Sequence, residues 1–219
     1  MRFYEQYPML RPYVGENYFD TSKPLLLLIG ESHYLEKGSK LDTTPHVWYE
    51  GSSLTLSEDE RQWLNTQEIF EDSKRGKFSN KAHSIWRNSL EVINDFGPAY
   101  STLARVAEDI AFYNFFLRPA SYGKSLDVVD QDADIANKAF QLHVKELKPT
   151  AVIFLSRLAY REFRRPESLS VPVVATPHPG CKWWNKEARK YDNKKGRDLL
   201  ADFIKKKTNW PSSQNAFTH

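Results

Sequence analysis

Glu31, Ser32, His33 and Tyr34 stand directly after an aliphatic run that ends in Gly30. A carboxylate in that position can orient a water molecule or stabilise a developing cation; it can equally cap a following helix. Asn114 interrupts a second apolar run otherwise made of Ile, Ala, Phe, Tyr and Leu. Its amide carries both a donor and an acceptor, the pair needed to read the hydrogen-bonding edge of a nucleobase, although a buried amide also serves as a structural tie to a nearby loop. His178 lies between Pro177 and Pro179 with Gly180 behind it. The prolines restrict where the imidazole points, which suits an acid or a donor to an anionic leaving group. Lys182, Trp183, Trp184 and Lys186 follow at once. Adjacent tryptophans between lysines can stack on bases or wedge between them; tryptophans can also pack into a core.

Other chemistries fit less well. Ser32 and His33 are sequence neighbours, and neighbours seldom face each other as nucleophile and base. Glu31, His33 and His178 show no metal-ligand spacing such as HExxH. No GxGxxG or P-loop is present, so there is no dinucleotide or nucleoside-triphosphate signature. The single cysteine, Cys181, excludes an internal disulfide and a multi-cysteine zinc or iron–sulfur site. No cofactor and no metal are expected.

The elements that must position these residues follow from pattern. Residues 24–30 are apolar throughout, as in a strand covered on both faces. Residues 36–57 are polar and read as loop. Ser57 with Glu60 forms a capping box, predicting a helix that runs on through Trp63 and Phe70. A further helix is expected over 81–96, stopped by Gly97 and Pro98, and a short one over 102–108. Residues 110–117 and 150–155 read as strands, separated by a helix over 130–148. A short helix at 158–163 leads to a fourth strand at 171–176, with Pro172 at its tolerable start. A basic helix is expected over 187–206. Strands separated by helices imply a central, mostly parallel four-stranded sheet in a three-layer α/β/α domain. Ligands then bind outside the carboxyl ends of the strands, which selects residues 31–34, 118–121, 156–157 and 177–185, and the working site is expected around Glu31, Asn114 and His178.

The chain has 219 residues with ordinary hydrophobic and charged fractions, enough for one domain over 1–219 with a helical and loop insertion near 36–80. The net charge is +3, yet residues 182–207 hold ten basic and four acidic side chains. That asymmetry suggests a polyanion-facing surface, although lysines on a solvated helix face produce the same count. The first residues lack the apolar run of a secretion signal, and the longest aliphatic run is far below the roughly 20 residues needed to span a bilayer. A cytoplasmic monomer away from membranes is the expectation.

Four short stretches, in order and each at an expected strand, resemble the uracil-DNA glycosylase superfamily. Gly30-Glu31-Ser32-His33-Tyr34 is similar to its first motif, written GQDPY in one branch and GEAPG in another. Phe112-Tyr113-Asn114-Phe115 is similar to the strand whose Asn reads uracil. Residues 151–156 resemble the strand before the last motif, and Pro177-His178-Pro179-Gly180 resembles the HPS motif. The departures point to a divergent branch with a GESHY first motif: Ser32 stands where several branches carry Asp or Asn, His33 replaces Pro, and Gly180 replaces Ser. Residues 36–80 have no counterpart.

The resemblance implies a glycosylase fold and a base flipped into a pocket, from single- or double-stranded DNA. Asn114 would read the base, His178 would donate to the departing anion, and Glu31 would hold water, with Ser32 and His33 in the same motif. Tyr34 would exclude a methyl group, and Trp183 or Trp184 would wedge into the DNA alongside Lys182 and Lys186. Tyr34, Trp48 and Trp86 are candidates for the aromatic that stacks on the base. The implied activity is hydrolysis of the N-glycosidic bond of uracil or a related damaged base. The alternative, motivated by Ser32, is a protein that binds a nucleobase or nucleic acid without chemistry. A third possibility is an unrelated small-molecule hydrolase or transferase on the same scaffold.

Overall fold

A computed structural model describes residues 3–50, 56–79, 83–97 and 100–208. Five strands form one sheet in the order β1-β3-β2-β4-β5. They are β1 (Tyr13–Val14), β2 (Leu26–Gly30), β3 (Ile110–Asn114), β4 (Ala151–Phe154) and β5 (Val173–Ala175). The last four are mutually parallel, and β1 pairs antiparallel with β3 through Tyr13↔Phe112 and Val14↔Ala111. The expected sheet had four strands. The fifth is two residues long, too short to show a two-residue alternation, and so it escapes a pattern reading.

β2 is buried at every position, because it lies between β3 and β4 and is covered on both faces. Alternate strand residues divide between two cores. Leu26, Leu28, Phe112 and Ile153 face one cluster. That cluster is filled by α4 (Thr66–Arg75), α5 (Ser84–Phe96), α6 (Leu103–Glu108) and α9 (Gly196–Lys207). Leu27, Ile29, Tyr113 and Phe154 face the other, which contains Ala136 and Phe140 of α7 (Asp130–Leu147) and Ala159 of α8 (Arg157–Glu162). A smaller cluster joins α1 (Phe3–Gln6), α2 (Pro45–Glu50) and α3 (Glu58–Leu64).

Several boundaries differ from expectation: the strand expected over 110–117 ends at Asn114, and three differences lie in the helices. The stretch read as loop contains α2, whose Trp48 is fully buried and stacks on Tyr7 at 4.4 Å between ring centres. Ser57 does cap α3 with both arms of the box, but the helix does not reach Phe70. Asn65 breaks it and caps α4, its side chain accepting from the Glu68 N–H at 3.1 Å; Asn competes with the helix for backbone hydrogen bonds and favours caps. The basic helix begins at Gly196, because residues 187–195 turn through left-handed Asp192 and Asn193. The expected helix start at 81–82 and the Pro98 stop lie outside the described residues.

The former insertion is tied to the sheet by a buried ion pair. Asp132 is fully buried at the start of α7. It accepts from Arg118 Nε at 2.8 Å and Nη2 at 2.5 Å, from the Tyr49 hydroxyl of α2 at 2.8 Å, and from the Val129 N–H at 3.0 Å. Removing one partner strands the other charge. Asp132→Ala is therefore expected to cost about 3 kcal/mol or more, read from urea unfolding, whereas a cost below about 1 kcal/mol would mean the pair is not holding α2 in place.

Candidate functional site

The central parallel strands end side by side. Gly30 and Asn114 are register partners across β2 and β3. A Cβ built on Gly30 would stand 2.2 Å from Asn114 Oδ1 and 2.9 Å from Phe112 Cζ. Only glycine leaves room for the Asn114 side chain to lie across the end of β2. Among the described residues the Asn114 amide makes no hydrogen bond, and it lines an open cavity.

Glu31 is held from both sides. The Phe115 N–H donates to the Gly30 carbonyl at 3.2 Å, and the Phe116 N–H donates to the Glu31 carbonyl at 2.9 Å. Beyond β4, the Ser156 hydroxyl donates to Glu31 Oε2 at 2.9 Å. The same oxygen of Ser156 accepts from the Ala159 N–H at 3.2 Å and so caps α8. Glu31 Oε1 is buried and has no protein partner among the described residues. A buried carboxylate oxygen ordinarily has a partner, and Glu31 lines the cavity. Glu31 is thus positioned by a side chain outside its motif, which sequence reading placed at a strand end without assigning it a role.

Ser32 and His33 behave differently. Ser32 is buried, and its hydroxyl also lacks a partner among the described residues. His33 is buried, with Nε2 at 2.9 Å from the Thr66 hydroxyl of α4. Burial pushes its pKa down to about 4. Its polar edge is spent on joining β2 to α4, and so it serves structure while bordering the cavity. Tyr34 is partly exposed at the cavity and bridges backbone to Ala120. Burial, with Glu31 nearby, raises its phenol pKa.

His178 points into the same cavity from the loop after β5. Its Nδ1 accepts from the Gly180 N–H at 3.0 Å. A nitrogen that accepts carries no proton, so the neutral ring holds its proton on Nε2. Burial lowers the His178 pKa and Glu31 opposes that shift. The imidazole is therefore a neutral Nε2–H donor at neutral pH. The loop is fixed by Asn88 of α5, whose Nδ2 donates to the Pro179 carbonyl at 2.7 Å. A Cβ on Gly180 would meet Ser84 Oγ at 2.7 Å and the His178 ring at 3.1 Å, so the turn is too close there for a larger residue.

The cavity holds about 500 Å³ and is lined by Glu31, Asn114 and His178 together with Ile69, Ile85, Trp86 and Phe112. Its size lies in the roughly 300–1,000 Å³ range of small-molecule pockets, which typically combine apolar walls with a few convergent polar groups. Gln62 and Trp63 of α3 and Ile69 and Asp72 of α4 also line it. The segment without a counterpart in the resembled family thus builds one wall, and the amphipathic pattern of α4 was the signal available for it. Among the candidate stacking aromatics, Trp86 and Tyr34 line the cavity. Trp48 does not: its Nε1 donates to the Leu117 carbonyl at 3.2 Å within a separate cluster.

The expected nucleic-acid face is only partly at the surface. Trp184 is 2 % exposed and packs in the core, where a Cβ on Gly196 would stand 2.8 Å from its ring. It cannot act as a wedge. Trp183 is half-buried, with Lys182 Nζ 4.5 Å from its ring centre. Lys182 and Lys186 are exposed. No group of three or more His, Cys, Asp or Glu side chains able to hold a metal is found among the described residues. No described helix is long and apolar enough to cross a membrane.

The buried histidines make stability pH-dependent. His33 and His143 both have pKa values pushed down to about 4 by burial, from 6.5. The unfolded chain takes up these protons near pH 6.5 while the folded chain does not, so stability is complete above that pH and falls as the pH drops toward 4. The expected loss is on the order of 2 kcal/mol per histidine by pH 5, read from urea midpoints at pH 7.5 and 5. Unchanged midpoints would show that these rings are protonated in the native state. No protein-family model matches the chain, and no curated protein matches it significantly.

Proposed function

We propose that this chain is a DNA base-excision glycosylase, hydrolysing the N-glycosidic bond of uracil or a related damaged base held in the cavity. One observation carries the reading. Glu31, Asn114 and His178 come from three different strand ends to line one cavity, and each keeps a polar group that no described residue takes up. The two cores on opposite faces of the sheet support a three-layer α/β/α architecture of the uracil-DNA glycosylase kind, acting as a cytoplasmic monomer.

In this reading the amide of Asn114 pairs with the donor and acceptor edge of a base extruded into the cavity. Trp86 and Phe112 supply apolar walls against its ring. As the bond from the sugar carbon to the base nitrogen breaks, its electron pair stays on the base. The Nε2–H of His178 donates to the base as that negative charge grows, which favours the transition state over the ground state. Glu31 Oε1 orients water toward the sugar carbon and accepts its proton as the new C–O bond forms. The Glu31 charge also stabilises the cation character of the sugar. Ser156 keeps the carboxylate in that orientation. Ser32 cannot act as a base of comparable strength, so Glu31 carries the role alone.

Ser32 also motivates a second reading, in which the cavity binds a nucleobase without cleaving its bond. Labelled oligonucleotides carrying uracil, hypoxanthine or xanthine, single-stranded, paired and mismatched, separate the two. Base release appearing as alkali-labile sites, lowered about 100-fold or more in His178→Ala and in Glu31→Gln with urea midpoints preserved, is the expected result. Equal rates in both variants and wild type would overturn the catalytic assignment. DNA bound at low salt with no release from any substrate would favour binding alone.

A further inference from the structure

A line of cations and aromatic rings runs from the end of β4 to the turn after His178. The Arg157 guanidinium lies 5.7 Å from the ring centres of both Tyr160 and Tyr191. Lys190 Nζ lies 5.0 Å from the Tyr191 ring and 5.4 Å from the Trp183 ring. Lys182 Nζ lies 4.5 Å from the other partner, Trp183. The order along the line is therefore Tyr160, Arg157, Tyr191, Lys190, Trp183, Lys182. Cations over rings at such distances are attracted to the π face, which limits the rotamers these long side chains would otherwise sample.

The three cations of this line are joined through shared rings, whereas Lys205 sits over Phe96 alone. Among the described residues, Arg157, Lys182 and Lys190 form no ion pair, and all three are exposed. By contrast, Lys194, just before α9, and Lys206 of α9 share Asp202 at 2.7 and 3.9 Å, and Arg197 approaches Asp95 at 3.9 Å. Lys186, Arg189, Lys205 and Lys207 are exposed and without an ion pair among the described residues as well, so the shared rings are what set the line apart. In sequence the line touches the proposed site twice: Arg157 follows Ser156, whose hydroxyl holds Glu31, and Lys182 belongs to the turn that follows the His178 loop.

We propose that this line is a track for single-stranded DNA, leading a base into the cavity; the inference rests on the base-excision reading. Pre-positioned cations suit phosphates spaced along a backbone, and the intervening rings and guanidinium offer faces to unstacked bases. A duplex substrate demands a protruding side chain that takes the place of the extruded base. Neither tryptophan of the turn supplies it, since Trp184 is in the core and Trp183 is flanked by Lys182 and Lys190. A single strand presents its bases without that cost.

Fluorescence anisotropy of the full chain with a short labelled strand, and with the same strand in a duplex, tests the track across a salt series. Wild type is expected to bind the single strand at least tenfold more tightly than the duplex. Lys190→Ala and Arg157→Ala are each expected to weaken single-strand binding several-fold and to reduce the salt slope by about 0.7–1. Lys206→Ala, whose cation is already paired with Asp202, is expected to match wild type. A duplex bound as tightly as the single strand, or track variants with unchanged affinity and slope, would overturn the proposal. The track's failure is distinguishable from the catalytic reading's: track effects without base release leave the track standing alone, and base release with unaltered track variants removes only the track.

Discussion

A missing side chain at Gly30 lets the rest of the site exist. β2 and β3 are adjacent and parallel, so their last residues must stand next to each other. Any Cβ at position 30 would occupy the space of the Asn114 amide. With glycine there, the amide crosses the end of β2, and the chain can continue directly into Glu31 under hydrogen bonds from Phe115 and Phe116. The cavity therefore depends on one backbone position in the middle of the sheet, where strand geometry is least able to adjust.

Around that point the polar groups divide into those that are satisfied and those that are not. His33 is spent on Thr66 and Arg118 on Asp132, and both hold the segment before α5 against the sheet. Glu31 Oε1, the Asn114 amide and the His178 Nε2–H remain for a ligand. Burial acts on both sets. It keeps His33 neutral as a structural ring, and it keeps His178 neutral as a donor rather than a cation. Leaving buried polar groups unpaired costs stability in the empty protein; a ligand that pairs them recovers that cost, and so the same groups favour binding.

The sequence made much of this legible. The four parallel strands follow from apolar runs bounded by Gly and Pro, and their carboxyl ends pointed to Glu31 and His178; Asn114 stood out as an amide in an apolar run expected to extend to 117, whereas β3 ends at Asn114. The helical wall was harder to see. α3 and α4 are separated by Asn65, which reads as a mild helix residue until its cap geometry is known. Ser156 gave no signal of its own, because its bond to Glu31 joins positions far apart in the chain. Trp183 and Trp184 look equivalent in sequence, yet a short 3-10 turn sends one inward and leaves the other under two lysines. The charge excess near the C-terminus was visible, but its division into paired and ring-held cations depends on tertiary neighbours.

The proposed function requires Asn114 and His178 to contact the same base. Heteronuclear NMR of the isotopically labelled chain, titrated with uracil and hypoxanthine, reads it directly. The account predicts that the His178 Nε2–H and the Asn114 side-chain amide shift together along one binding curve, with His178 remaining the Nε2–H tautomer at pH 7. Shifts at only one of the two, or an imidazole protonated on Nδ1 instead, would contradict it.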